Sequence, residues 1–113
     1  MQEFKIKITE SAVQDLRDLR EYLSNQFGEQ VATTNIQDLI RLYSSLAEFP
    51  YKGKPANEVI NLLGAYYYLP TRRNIIFYSI DIDRNSILIH RIFTTKEDFV
   101  QKFLSYVNND LND

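Results

Sequence analysis

The 113-residue sequence contains no cysteine and no tryptophan, one histidine, three glycines and three prolines. Without cysteine, disulfides, thiolate nucleophiles and cysteine-ligated zinc sites are excluded. A single histidine argues against a transition-metal site made by the protein alone, and no motif indicates a cofactor. No apolar run approaches the roughly 18 residues that a membrane span needs, and the N-terminus has no apolar signal-peptide core. We therefore expect a soluble, cytoplasmic protein without metal, cofactor or membrane segment.

The length supports one hydrophobic core, so residues 1–113 are predicted to form a single domain. The net charge of −2 hides an uneven distribution. Residues 64–96 carry five basic against two acidic side chains, whereas the segments on either side are acidic. A basic middle segment favours an anionic partner, although such residues also solvate strand edges and turns. The acidic isoelectric point argues against nonspecific binding to nucleic acid.

Two amphipathic helices are predicted after a short opening strand. Residues 4–8 alternate apolar and basic side chains, which is typical of a strand. Thr9 or Ser11 can cap the first helix and Gly28 can end it, so that a short turn makes an antiparallel helical hairpin. The face of the first helix that includes Asp15 is predicted to be solvated. The apolar stripes predicted to face a core are Ala12, Leu16, Leu19, Leu23 and Phe27, then Ala32, Ile36, Leu39, Ile40, Tyr43, Leu46 and Ala47.

The second half of the chain has the period of an antiparallel sheet. After a loop at 51–57, strands are predicted at 66–69, 75–80 and 86–93. The order β-α-α-β-β-β-α predicts an α+β fold, in which the helical hairpin covers one face of a small, mostly antiparallel sheet. The first strand is expected to pair with one of the later three, and the other sheet face is expected to stay open as a binding surface. The last helix, capped by a threonine, is predicted to have one face made of Phe99, Phe103, Tyr106 and Val107.

Strict alternation along the last strand predicts that Arg91 shares a face with Ile87 and Ile89, and that His90 points to the opposite face. An arginine among strand hydrophobes must either pair with an acid, such as residues 97–98 of the last helix, or reach a ligand. His90 is predicted to have a structural role.

A set of short motifs runs in order over residues 4–104. They are Lys-Ile-Lys-Ile-Thr at 5–9, Asp15-Leu16, Leu-Ala-Glu-Phe-Pro at 46–50, Gly53 and Pro55, Leu63-Gly64, Tyr68-Leu69-Pro70, Ile-Phe-Tyr-Ser-Ile-Asp at 76–81, and Arg91-Ile92-Phe93. In this order they resemble the RelE/ParE superfamily of bacterial type II toxins. The resemblance implies a toxin that a cognate antitoxin neutralises and whose target is DNA gyrase or mRNA on the ribosome. It leaves a homodimer within the toxin–antitoxin complex open.

The chemistry of a ribonuclease member would need a base for the ribose 2′-OH, an acid for the leaving oxygen and cations for the phosphoryl charge. Arginine supplies only the cation, because it keeps its proton near neutral pH. Tyr67 stands where ribonuclease members often carry arginine, and Thr94 where many carry histidine. On this hypothesis the catalytic candidates are Arg91, Lys96 and Arg73. The candidates for binding RNA or a target are Lys52, Lys54, Arg72 and Tyr67.

The sequence offers few side chains that could act as the acid and the base of RNA cleavage. It therefore favours a toxin that works by binding a target such as DNA gyrase. The first alternative is a ribosome-dependent mRNA endoribonuclease that uses no metal. The second is a degenerate toxin that only binds its antitoxin. Whether the chain is an enzyme stays open on the sequence alone.

Overall fold

The element order of the structure follows the predicted one, with one short strand added. A computed structural model describes residues 3–56, 66–95, 101–102, 104–106 and 108. The described residues from 101 to 108 are helical and form the C-terminal helix. Of the face predicted for this helix, only Tyr106 is described. The other elements are β1 (Lys5–Ile8), α1 (Glu10–Phe27), α2 (Glu29–Ser44), a 3₁₀ turn (Ser45–Ala47), β2 (Lys54–Pro55), β3 (Tyr66–Pro70), β4 (Asn74–Asp81) and β5 (Ser86–Thr94). Strand β2 is the addition, because only a loop is predicted at 51–57.

The helical hairpin begins and turns where its capping residues predict. The Thr9 hydroxyl accepts a hydrogen bond from the Ala12 amide at 3.0 Å and donates one to the His90 carbonyl at 2.8 Å. Gly28, at φ 93°, takes up the left-handed region between α1 and α2, and its amide bonds to the Ser24 carbonyl at 2.9 Å. A side chain there would be strained, so the glycine suits this tight turn.

The apolar stripes of the hairpin are buried or half-buried along their length, with two exceptions. Phe27 is 56% exposed and Ile40 is 40% exposed. The prediction that they belong to the core is wrong at these positions. Phe27 lies in the last turn of α1 and lines a groove, and Ile40 is rotated outwards because the preceding Leu39 takes the inward position.

The five strands form one mixed sheet in the order β1-β5-β4-β3-β2. β1 pairs in parallel with β5, from Lys5 opposite Ser86 to Ile8 opposite Ile89. The other neighbours are antiparallel. The expectation that the first strand joins a later one is therefore confirmed, and its partner is the last strand.

A β-bulge at His90 changes the faces of the residues that follow it. Phe77 lies opposite Arg91 and Tyr78 lies opposite Ile89, so His90 is an extra residue in β5. As a result Ile87, Ile89 and Ile92 all belong to the core beneath the hairpin. The prediction that Arg91 shares a face with Ile87 and Ile89, which assumed strict alternation, is wrong for this reason.

The second face of the sheet carries its own buried cluster, the far-face cluster, rather than an open surface. Phe77 is 4% exposed and Phe93 is 2% exposed. Tyr106 of the C-terminal helix packs against them. The expectation of an open far face is wrong at these positions, because the chain covers them itself. The far-face cluster consists of Ala56, Ile75, Phe77 and Phe93, with Tyr66, Tyr68 and Tyr106 packed against it.

Tyr78 joins the core to the segment before β2. Its ring is fully buried, and its hydroxyl donates to the Pro50 carbonyl at 2.8 Å and accepts from the Gly53 amide at 2.9 Å. Burial raises the pKa of Tyr78 to about 12. Gly53 packs so closely that an added Cβ would lie 2.7 Å from both the Tyr68 carbonyl oxygen and the Tyr78 hydroxyl. The segment that follows Pro50 is thus held by one buried phenol.

We expect Tyr78→Phe to lower the free energy of unfolding by roughly 1–3 kcal/mol, because it leaves a part-buried amide and carbonyl without their partner. Urea denaturation followed by circular dichroism measures this loss. The control is Tyr51→Phe at an exposed ring, which should change stability by less than about 0.5 kcal/mol. Equal effects of the two substitutions would contradict this role of the hydroxyl.

The pH dependence of the unfolding free energy, compared between the wild type and Tyr78→Phe, gives a second test of this role. Because the pKa of Tyr78 is raised from 10.0 to about 12, the unfolded chain loses the phenol proton first as the pH rises. The contribution of the protonated Tyr78 phenol to the free energy of unfolding is complete below pH 10 and is lost as the pH rises towards 12. Tyr78→Phe should lack this part of the alkaline destabilisation.

Candidate functional site

A groove of about 720 Å³ separates α1 from the end of the sheet where β3 turns into β4. One wall comes from α1, and the other comes from the β3–β4 turn, the end of β5 and the C-terminal helix. A cavity of this size is within the range of binding sites. Its lining includes Asp15, Asp18, Leu19, Tyr22, Leu23, Phe27, Arg72, Arg73, Asn74, Arg91, Ile92, Phe93, Thr94, Thr95 and Lys102.

The α1 wall of the groove presents exposed aromatic surface. Tyr22 is 53% exposed and Phe27 is 56% exposed. Large aromatic rings exposed in a concave site are typical of surfaces that bind a protein partner. Neither residue is among the site residues predicted from the sequence. Helical spacing predicts a core position for Phe27, and only the position of the sheet relative to α1 places these rings at a groove.

The opposite wall presents two arginines on a hydrogen-bonded turn. The Thr71 hydroxyl accepts from the amides of Arg73 and Asn74 at 3.3 and 2.9 Å, and the Thr95 amide donates to the Arg73 carbonyl at 2.9 Å. Arg72 and Arg73 are exposed, and within the described part of the chain neither forms an ion pair. The groove is therefore lined on this side by two exposed arginines.

Arg91 lies in the same groove, but its guanidinium is bound by Asp15 of α1. Its Nε and one terminal nitrogen donate to the two carboxylate oxygens, each at 2.8 Å. The Ile92 amide donates to the same carboxylate at 2.9 Å. The Arg91 and Asp15 side chains are 26% and 12% exposed. The guanidinium carbon lies 4.7 Å from the centre of the Phe93 ring.

This contact corrects the expectation for Asp15. A solvated helix position was predicted, whereas the carboxylate accepts three hydrogen bonds from β5. The acids proposed from the sequence as partners of Arg91, residues 97–98, lie outside the described residues. A bidentate, charge-assisted pair is among the stronger side-chain contacts.

His90 is buried away from the groove. Its Nε2 lies 2.8 Å from the Ser79 hydroxyl and its Nδ1 lies 2.9 Å from the Tyr106 hydroxyl. His90 is 7% exposed, and the Tyr66 ring packs edge-on against its imidazole ring, with ring centres 5.0 Å apart. Both ring nitrogens are thus engaged in joining β4, β5 and the C-terminal helix, which agrees with a structural role.

The remaining predicted site residues that the structure describes do not line the groove. Lys52 Nζ lies 3.3 Å from the Ser45 hydroxyl, and Lys54 pairs in β2 opposite Tyr68. Tyr67 stacks on Tyr78 with ring centres 5.6 Å apart. Lys96 lies outside the described residues. The structure therefore brings together Arg72, Arg73 and Arg91, and it separates them from Lys52, Lys54 and Tyr67.

The described regions of the chain offer neither a cluster of metal ligands nor a membrane span. Among residues 3–56, 66–95 and the described positions of the C-terminal helix, no three His, Asp or Glu side chains are grouped to hold a metal ion. Neither α1 nor α2, nor any other helical part that the structure describes, combines the length and apolarity of a membrane span.

The sequence matches a family model described as the ParE toxin of a type II toxin–antitoxin system, parDE, over residues 6–99. The match extends over most of the chain. The chain belongs to the ParE toxin family. It is the toxin component of a type II toxin–antitoxin system, within the RelE/ParE superfamily that the motifs indicate. No curated protein matches the sequence.

Solved structures of toxin–antitoxin systems share the fold of this ParE-family chain. The chromosomal ParDE system of P. aeruginosa matches with a TM-score of 0.68 at 19% identity, covering 81% of this chain and 96% of that one. The RelBE2 toxin–antitoxin complex of Mycobacterium tuberculosis matches with a TM-score of 0.61 at 17% identity, covering 81% and 98%. The isolated E. coli RelE toxin matches with a TM-score of 0.50 at 11% identity, covering 92% and 98%. These similarities confirm the α+β fold.

We expect a double-mutant cycle to find coupling between Arg91 and Asp15. Arg91→Met leaves a mostly buried carboxylate unpaired, so it should cost roughly 2–4 kcal/mol of unfolding free energy, less than a fully buried pair because Arg91 reaches solvent. The double variant with Arg91→Met and Asp15→Ala should lose about 1–3 kcal/mol less unfolding free energy than the sum of the losses in the two single variants. Urea denaturation of the four proteins measures both quantities.

The matched control is the exposed pair Arg41–Asp38 on α2, with nitrogen and oxygen 3.2 Å apart. Its cycle should give at most about 0.5 kcal/mol, because solvent screens an exposed pair. Equal coupling in the two cycles would argue against a structural role for Arg91.

Proposed function

We propose that this toxin acts by binding a target protein, DNA gyrase, and not by cutting RNA. The observation that carries the proposal is the bidentate contact between Arg91 and Asp15. Arg91 is the residue that would stabilise the phosphoryl transition state in a ribonuclease, and here its guanidinium holds α1 against β5. Gyrase as the target follows from the superfamily resemblance and from family membership.

The proton-transfer chemistry of RNA cleavage also lacks support in the described groove. Its cations are Arg72, Arg73, Arg91 and Lys102, and arginine does not exchange its proton near neutral pH. The one histidine, His90, faces Ser79 and Tyr106 in the far-face region and does not line the groove. A cleft with exposed aromatic rings and two adjacent arginines is better suited to binding a protein surface than to catalysing an acid–base reaction.

The decisive experiment runs two assays on the same purified toxin. We expect micromolar toxin to inhibit DNA supercoiling by gyrase, and we expect mRNA to remain intact in a ribosomal cell-free translation reaction. Heat-denatured toxin serves as the control in both. Inhibition of supercoiling that persists with Arg91→Gln, which removes the cation, would further separate the effect from phosphoryl chemistry.

The opposite results would support the alternatives. Cleaved mRNA with unaffected supercoiling would make the chain a ribonuclease. No effect in either assay, together with harmless overexpression in cells, would favour the degenerate toxin. The proposed target places the toxin in the cytoplasm, while a homodimer within the toxin–antitoxin complex stays a prediction.

We further propose that the cognate antitoxin neutralises the toxin by covering the groove with an acidic, partly apolar segment. The exposed rings of Tyr22 and Phe27 supply apolar contact area on one wall. Arg72 and Arg73 supply positive charge on the other. A segment that becomes ordered on binding would lose entropy but bury this aromatic surface.

We expect Arg72→Glu with Arg73→Glu to weaken binding of the antitoxin encoded beside the toxin by at least ~30-fold, because central arginines often carry about 2 kcal/mol or more of binding energy. Isothermal titration calorimetry measures the dissociation constant. The control, Lys52→Glu with Lys54→Glu, makes the same charge change away from the groove. Equal losses from the two double variants would show a general charge effect and contradict the groove as the site.

A further inference from the structure

We propose that the toxin contacts an acidic surface of its target protein through a second exposed surface, the lysine–aromatic patch. The patch consists of Phe49, Tyr51, Lys52 and Lys54, which lie on the segment that leads from the 3₁₀ turn into β2. These four residues are not part of the groove lining, which the proposed function gives to the antitoxin. The inference rests on the proposed function and adds the target-binding surface that it leaves unassigned.

Two aromatic side chains of the patch are exposed to solvent. Phe49 and Tyr51 are each 57% exposed. Exposed aromatic rings that lie near each other in the chain are typical of the residues that supply binding energy at protein interfaces. The two rings therefore offer apolar area that a partner can bury.

The backbone that carries these rings is held by contacts within the fold. The Pro50 carbonyl and the Gly53 amide both bond to the Tyr78 hydroxyl, at 2.8 and 2.9 Å. The Tyr51 ring packs edge-on against the Tyr67 ring, with ring centres 5.8 Å apart. A surface that already has its bound arrangement loses less conformational entropy when a partner binds.

The two lysines give the patch its charge. Among the residues that the structure describes, neither Lys52 nor Lys54 forms an ion pair. The Lys52 ammonium lies 3.3 Å from the Ser45 hydroxyl, which is a neutral group. Exposed cations beside exposed rings are complementary to a protein surface that combines carboxylates with apolar side chains.

The observations favour a protein over a nucleic acid as the partner of this patch. Binding to a nucleic acid strengthens with the number of phosphates that cations neutralise, and the patch offers two lysines. Glu48 is exposed next to Phe49 and would repel a phosphate backbone. A protein surface carries charges of both signs, so it can place a cation beside Glu48 and carboxylates beside the lysines.

The first test reverses the charge of the patch and measures inhibition of DNA supercoiling by gyrase. The patch variant is Lys52→Glu with Lys54→Glu. Its matched control is Lys5→Glu with Lys7→Glu, two exposed lysines on β1 at the opposite edge of the sheet. We expect the half-inhibitory toxin concentration to rise at least ~10-fold for the patch variant and less than ~2-fold for the control. Lys52→Arg with Lys54→Arg keeps the charge and should keep the inhibition.

The second test removes the two rings. We expect Phe49→Ala with Tyr51→Ala to raise the half-inhibitory concentration at least ~10-fold, because truncated aromatic anchors cost much of the binding energy. The control is Ile82→Ala, which shortens a side chain that is 68% exposed in the β4–β5 turn. All these variants should keep native circular dichroism and the wild-type calorimetric affinity for the antitoxin, because the patch does not line the groove.

Three results would overturn the inference. The first is unchanged inhibition by both patch variants, or an equal loss in the β1 control. The second is an equal loss of antitoxin affinity, which would make the patch part of the antitoxin site. The third is anisotropy in which the wild type binds a fluorescein-labelled single-stranded DNA and the charge-reversed patch variant does not, since the patch would then be a nucleic-acid site.

Growth inhibition in cells separates this inference from the choice of gyrase. If the wild-type toxin stops growth without inhibiting supercoiling, gyrase is the wrong target. The patch variants should then still lose growth inhibition while the β1 control keeps it, and growth inhibition by all of them would overturn the role of the patch. If the wild type and the patch variants inhibit supercoiling equally, gyrase stands as the target and the patch is wrong.

Discussion

The structure depends on how α1 is joined to β5 at a single bulge. Strand β1 pairs with β5 only as far as Ile89, and beyond that point no other strand among the described residues pairs with this edge of β5. His90 is inserted there, and Asp15 accepts the Ile92 amide that β1 does not reach. The same carboxylate holds Arg91. The Asp15 side chain thus accepts a hydrogen bond from an amide at the edge of β5 and also compensates the charge of Arg91.

The groove is a consequence of that attachment. Asp15 brings the first half of α1 against β5, and the helix continues past the sheet to Tyr22 and Phe27. The β3–β4 turn, tied to the end of β5 through the Thr95 amide, presents Arg72 and Arg73 opposite them. Aromatic and cationic walls therefore line the same groove, because the Ile92 amide binds Asp15 of α1 and the Thr95 amide binds the carbonyl of Arg73 in the β3–β4 turn.

The limits of the sequence prediction follow from the range of the interactions involved. Helices, strands and the Gly28 turn depend on local periodicity and backbone preference, so their order could be predicted. The bulge at His90 depends on the register between β4 and β5 and leaves no local signal, so strict alternation assigned Arg91 to the wrong face. The partners Asp15 and Arg91 are 76 residues apart, and a helical wheel cannot show which strand edge lies beside a polar face. The groove could be found only from the packed structure, because it lies between α1 and the end of the sheet.

The fold shared with the ParDE and RelBE2 systems does not decide the chemistry of the groove. At 17–19% identity these similarities concern the backbone scaffold, on which unrelated functions can be built. What an arginine in the last strand can do depends on the group that occupies its donors. In this chain the Asp15 carboxylate of α1 occupies two of the Arg91 donors, so the arginine joins α1 to β5. The shared scaffold therefore leaves the chemistry of the groove to the individual side chains that α1 and β5 bring together.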